Sequence, residues 1–195
     1  MDCENRESLR FEILSKSELE PSNICLSISF LNLSQSGSFY LYHSNPTSML
    51  SIRVATIDDL EDLTRLFDAY RVFYEKSSDM IAAKSFLQKR ISNNESIIYI
   101  AFIENNAVGF TQIYPLFSSV SMQRMFLLND LYVDPQYRGK GIGEALLNQG
   151  KQYTIENNGK SLILETATDN PAQHLYERLG WTKDTEYLHY SWSPE

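Results

Sequence analysis

The segment that most constrains the fold is LNDLYVDPQYRGKGIG, Leu128 to Gly143, which compresses a strand, a stop and a helix start into one short run. Leu128, Leu131, Tyr132 and Val133 suit a strand, over Met125 to Val133, and Asp134-Pro135 ends it because proline has no N–H to give to a ladder. Beyond the loop, Ile142, Ala145, Leu146, Gln149 and Tyr153 share one side of a helix predicted over Gly141 to Asn157. Without side chains, Gly139, Gly141 and Gly143 let consecutive backbone N–H groups line a concavity, and a helix start adds roughly half a positive charge there. A pyrophosphate is the natural guest, with Arg138 and Lys140 adding charge and Arg138 able to make a bidentate contact. A tight strand-to-helix turn with no ligand is the plainer alternative. Neither a P-loop string nor G-x-G-x-x-G is present, since Gly143 is followed by Glu144 and Ala145.

The elements around this segment alternate in type. Ile52 to Ala55 reads as a strand and Thr56-Ile57-Asp58-Asp59 as a capping-box start. Leu60, Leu63, Phe67, Tyr70 and Phe73 or Tyr74 then form a helical stripe, and a second helix is predicted from Asp79 to Ile91. Ser96 to Ile103 and Val108 to Tyr114 make a hairpin around Glu104-Asn105-Asn106. After the Asn158-Gly159 stop, a strand is predicted at Ser161 to Thr166, a short helix from Pro171 to Leu179, and a last aromatic strand at Tyr187 to Trp192. The order implies an α/β fold, a mixed sheet with helices on both faces.

Residues 1 to 50 stand apart, with eleven serines and a single glycine, and read as an N-terminal extension whose order the sequence leaves open. Within it, Ile24 to Leu33 and Phe39 to Tyr42 suit a marginal hairpin, and the main domain is expected over 51 to 195. A net charge of −8 gives no bulk attraction to nucleic acid or anionic lipid. No stretch approaches the ~20 apolar residues of a membrane helix, and the acidic N-terminus does not suit a signal peptide. A cytoplasmic home follows by default. Cys3 and Cys25 both precede the domain, and His43, His174 and His189 lack ligand spacing, so no metal and no cysteine nucleophile are expected.

Arg138, Gly141 and Gly143 match the [RQ]-x-x-G-x-[GA] signature of the GNAT superfamily of acetyl-CoA-dependent N-acetyltransferases, which the chain resembles over about residues 51 to 192. The run Asn170-Pro171-Ala172-Gln173-His174-Leu175-Tyr176-Glu177-Arg178-Leu179-Gly180-Trp181 resembles the family's second cofactor motif. The resemblance implies a splayed central sheet and acetyl-CoA as co-substrate. In it the backbone of Leu131, Tyr132 and Val133 pairs with the pantetheine arm, a backbone N–H near Val133 stabilises the tetrahedral oxyanion, and Asn170 contacts the pantetheine. Arg138, Gly139, Lys140, Gly141, Ile142, Gly143 and Glu144 are the implied pyrophosphate cradle.

Tyr176 is the implied general acid for the departing thiolate, although its helical spacing also suits a core aromatic. Candidates for deprotonating the amine are Asp130, Asn129 and Glu165. Asn129-Asp130 stands where diamine acetyltransferases carry Glu-Asp, so the first acid is replaced and Asp130 is left to anchor a cationic amine. Tyr70, Phe73 and Tyr74, with Arg71 and Glu75, fall where the superfamily builds its acceptor site, and core packing explains the aromatics equally well. The implied reaction is direct acetyl transfer to a primary amine, either a small amine or polyamine or a lysine side chain. The alternative is a catalytically silent acyl-CoA-binding regulatory module. A homodimer is left open.

Overall fold

The computed structural model describes residues 49–186 and 188–194. The hairpin expected between residues 24 and 42 lies outside the described residues. The elements are β1 (Leu50–Val54), α1 (Leu60–Phe73), α2 (Met80–Ser92), β2 (Ile97–Ile103), β3 (Asn106–Ser118), β4 (Gln123–Val133), α3 (Ile142–Glu156), β5 (Leu162–Ile163) and α4 (Gln173–Arg178). The strands lie in the order β1-β2-β3-β4-β5, antiparallel except for the parallel pair β4 and β5.

Local chemistry sets the starts and turns. Thr56 and Asp59 form the reciprocal capping box expected at the first helical turn, and Arg53 holds the Asp59 carboxylate with two nitrogens at 2.7 and 2.5 Å. Glu104 and Asn105 both take positive φ, 54° and 79°, the twist that a tight hairpin turn requires. At the end of α3 it is Asn158, φ 52°, that turns left-handed. Gly159 is needed for a different reason: a Cβ there would sit 2.7 Å from the Phe126 ring.

Alternation along β2 sends Ile98 and Ile100 to one apolar layer and Tyr99 and Ala101 to the other. The first layer packs on α1 and α2 through Leu63, Leu66, Phe67, Ala83 and Leu87, and the second on α3 through Ile142, Leu146 and Leu147. Helices thus cover both faces of the mixed sheet. The buried stripe of α3 is Ile142, Leu146, Leu147, Gly150 and Thr154, rotated from the expected one. Gly150 is the cause, because its missing side chain lets the helix close on Ile113, Leu128 and Leu162, each only 3.3 Å from an ideal Cβ.

Two expectations are corrected at the C-terminal end. The strand expected over Ser161 to Thr166 shrinks to Leu162–Ile163, and residues 188–192 are not in a strand. Period-2 patterning records only which residues suit a strand. A ladder also needs an adjacent edge, and β4 offers β5 only two register positions.

Candidate active site

The site is made by a fault in β4. Asp130 lies opposite Gln112 and Leu128 opposite Ile113, so Asn129 is an extra residue with no partner on β3. The bulge reverses the alternation. Phe126 and Leu128 before it, and Leu131 and Val133 after it, all join the α3 layer, while Tyr132 joins the α1 layer. β5 pairs with β4 only at Phe126 and Leu127, so the β4 edge is open from Leu128 onward.

Asp134 donates its backbone N–H to the Val108 carbonyl at 2.9 Å, which makes Gly109 and Val133 a pair that does not hydrogen-bond to each other. The N–H and C=O of Val133, and by the same alternation those of Leu131, therefore point into the gap beside β5. The backbone groups of Tyr132 face Phe110 instead, so of the three residues expected along the pantetheine only Leu131 and Val133 turn their backbone groups to the gap, where the Val133 carbonyl is taken by Arg138.

The loop after β4 supplies the anion cradle. Asp134 caps a turn of 3₁₀ helix over Pro135–Tyr137, and Gly139 and Gly141 follow at φ 76° and 79°. The first helical bond of α3 runs from the Ala145 N–H to the Gly141 carbonyl, which leaves the N–H groups of Ile142, Gly143 and Glu144 for a ligand. Arg138 donates Nε–H to the Val133 carbonyl at 3.0 Å and lies over the rings of Phe73 and Tyr132. Its terminal N–H groups remain. Lys140 lies over the Tyr137 ring, outside the cleft lining.

A cleft of about 620 Å³ joins this cradle to the open β4 edge, and Asn129, Leu131, Tyr132, Val133, Arg138, Gly139, Gly141, Ile142, Gly143, Glu144, Asn170, Tyr74 and Tyr176 all line it. Asn170 accepts the Ala172 N–H at 3.0 Å, which starts the turn into α4 and leaves the Asn170 amide hydrogens for a ligand. Burial pushes the Tyr176 phenol above the usual tyrosine range, with Tyr74 adding to the shift and a hydrogen bond with Thr166 opposing it. Tyr176 is thus protonated at neutral pH and able to donate.

One wall is aromatic. Tyr70, Phe73 and Tyr74 from α1 meet edge to face, with Phe73 and Tyr74 55% and 45% exposed, so these two are not core residues. Arg71 and Glu75, expected beside them, lie outside the lining, and Arg71 contacts Asp68 at 3.3 Å instead. Glu165 lines the cleft, 3.2 Å from His189 Nδ1. Asp130 is only 5% exposed and does not reach the cleft, since the bulge turns it to the α1 face. Its carboxylate accepts a hydrogen bond from the Asn129 side-chain amide at 3.1 Å. Burial raises the Asp130 carboxyl above its ordinary value, against the opposing influence of Asn129 and Tyr70. Sequence reasoning missed the bulge at Asn129 and the Thr166 contact, and neither leaves a sequence signal.

An open strand edge, a helix-start cradle and a half-buried phenol meet in one cleft, an arrangement that suits a transferase using an acyl carrier. The chain belongs to the acetyltransferase (GNAT) family, whose model matches residues 60–181, and it is an N-acetyltransferase. It is similar to an uncharacterized N-acetyltransferase, YhfO, of Bacillus subtilis, 45% identical over 142 residues that cover 72% of this chain and 95% of the relative. A crystal structure of a probable acetyltransferase is 36% identical, covers 74% of this chain and 98% of its own, and superposes with a TM-score of 0.71. An aminoglycoside acetyltransferase from an uncultured soil metagenomic sample, solved with sisomicin, is 26% identical with a TM-score of 0.65, covering 75% of this chain and 97% of its own.

Among the described residues no group of three or more His, Cys, Asp or Glu is arranged to hold a metal ion, and no helix is long and apolar enough to cross a membrane.

Proposed function

We propose that the enzyme transfers the acetyl group of acetyl-CoA directly to a primary amine carried by a small cationic molecule, an amine or polyamine, in the cytoplasm. One observation carries this reading: the cradle, the open β4 edge and Tyr176 share a single cleft that Tyr70, Phe73 and Tyr74 also line. Acetyl-CoA supplies a thioester carbonyl and a thiolate leaving group. The N–H groups of Ile142, Gly143 and Glu144, with Arg138, bind the pyrophosphate. Leu131 and Val133 hold the pantetheine arm as an added strand, and the Val133 N–H faces the carbonyl oxygen where negative charge develops. Tyr176 protonates the thiolate as it leaves.

Support for a cationic acceptor comes from two acids, Glu165 in the cleft lining and Asp130 outside it, and from the net charge of −8. The similarity to an aminoglycoside acetyltransferase solved with sisomicin points the same way, toward a small polyamine-like molecule rather than a lysine side chain. The test is a panel of polyamines, aminoglycosides, amino acids and a lysine peptide, assayed for release of free CoA thiol. Turnover of the small cationic amines supports the reading. Turnover confined to the peptide replaces the substrate class, and stoichiometric acetyl-CoA binding without thiol release from any amine overturns catalysis.

A further inference from the structure

A cationic acceptor needs a surface that holds positive charge, and the carboxylates of this cleft are already engaged. Its lining contains two acids, Glu144 and Glu165. Glu144 is paired with Arg178 at 2.8 Å, and Glu165 stands 3.2 Å from His189 Nδ1. Both lend the cleft negative potential, and neither is a free partner. Asp130 is buried outside the lining. What the cleft offers instead is ring surface, since Phe73 and Tyr74 at the end of α1 line it and stay exposed.

This aromatic surface already holds one cation. The Arg138 guanidinium lies over Phe73 at 5.5 Å and over Tyr132 at 5.9 Å, a geometry in which the negative face of a ring attracts positive charge. Tyr74 meets the Phe73 ring at 5.2 Å and 88°, and among the described residues no cation lies over Tyr74 itself. The chemistry of transfer decides which nitrogen such a ring can serve. The attacking nitrogen must be neutral, because an ammonium has no lone pair, so a cation held beside the reaction is a different nitrogen.

We propose that Tyr74 determines acceptor specificity by binding a second, non-reacting ammonium of the acceptor against its ring, which selects diamines and polyamines over monoamines. The proposal rests on the acetyl-transfer reading above and names the residue that chooses among its amines. Tyr70 stands between Tyr74 and Tyr132, 5.0 Å from one ring and 6.2 Å from the other, and Tyr132 adjoins Val133. The acceptor therefore needs a spacer between its two nitrogens. Arg138 does not oppose the second cation once acetyl-CoA is bound, because the pyrophosphate brings more negative charge than the guanidinium carries positive.

The experiment uses two acceptors that share a primary amine and the spacer of the best diamine in the panel. One ends in trimethylammonium and the other in tert-butyl, a neutral group of nearly the same shape. Neither end can be acetylated or donate an N–H. Wild type is expected to favour the charged acceptor about tenfold in kcat/KM, through KM and not kcat. Tyr74→Leu is expected to lose this preference, and Tyr74→Phe, which keeps a ring, to retain most of it. The backbone N–H of Tyr74 closes α1 whatever the side chain, and calorimetry with acetyl-CoA confirms that both variants are folded. Equal use of the two acceptors by wild type overturns the proposal. So does a preference that survives Tyr74→Leu, one that Tyr74→Phe loses as well, or a panel in which monoamines outrun diamines. A wild-type enzyme that releases no thiol with any amine overturns the acetyl-transfer reading itself, and the role of Tyr74 with it.

Discussion

Arg178 on α4 and Glu144 in the first turn of α3 are joined at 2.8 Å between the two cofactor-motif helices. Glu144 is thus a carboxylate at a helix start whose N–H groups serve an anion, and Arg178 offsets its charge. Removing that charge while keeping the shape, as in Glu144→Gln, is expected to tighten acetyl-CoA binding by about two- to fivefold, the scale of one charge at a helix terminus. Calorimetry at low salt reads the change, which shrinks as salt is raised. Weaker binding in the variant would show that the carboxylate itself serves the cofactor.

Gly141 tests the cradle through both backbone and charge. Its φ of 79° is left-handed, and an added Cβ there meets nothing within 4 Å. Asparagine tolerates this conformation better than most residues, so Gly141→Asn is expected to keep the fold and part of the acetyl-CoA affinity. Gly141→Asp has nearly the same shape plus a negative charge at the pyrophosphate position, and binding should disappear. Equal affinities for the two variants, measured by calorimetry on folded protein, would remove the pyrophosphate from this loop.

Replacing Tyr176 by Phe preserves the ring that packs near Trp181, 6.2 Å between centroids, and removes only the hydroxyl. The melting temperature should change little, while kcat falls by ~10²–10⁴ and acetyl-CoA affinity holds. A wild-type kcat under conditions where chemistry limits turnover would assign thiolate protonation to water.

Two buried acids should pull stability in opposite directions with pH. The Asp68 carboxyl is held below its ordinary value by Ser78 first, then by the Asp79 backbone N–H, with Arg71 adding to the effect. Its stabilisation is present above the unfolded carboxylate pKa of about 4 and is lost as pH falls through the lower folded value. The Asp130 carboxyl is raised by burial, so its folded form binds a proton more tightly than the unfolded chain, and stability declines as pH rises through that value. Asp130→Asn is therefore expected to melt above wild type at neutral pH. The gain should vanish near pH 4, and Asp68→Asn should melt lower than wild type at neutral pH. A pH-independent offset in either variant would mean that packing, not ionisation, sets the difference.

Shortening the chain to residues 49–195 removes only residues outside the described part and keeps Leu50, which pairs with Ile103. This form is expected to bind acetyl-CoA and turn over its amine as the full chain does. Loss of either, in soluble protein, would assign the extension a part in the fold.

The sequence by itself determined the elements whose causes are local. Thr56 and Asp59 cap a helix because their side chains reach backbone N–H groups three residues away, and Pro135 stops a strand wherever it stands. The glycines at 139 and 141 announce the cradle for the same reason, since only the local backbone decides whether φ can be positive.

What the tertiary structure alone decided is relational. The unpaired Asn129 depends on how β4 registers against β3, and that one residue determines that Asp130 lies behind Tyr70 rather than in the cleft. Asp130 and Tyr70 are sixty positions apart in the chain, so no short-range pattern joins them. The brevity of β5 and the absence of a strand at residues 188–192 follow likewise from which edges are available for pairing. A side chain's period along the chain records its own preference. Its partner is set by the register of strands and the packing of helices, which is a property of the whole fold.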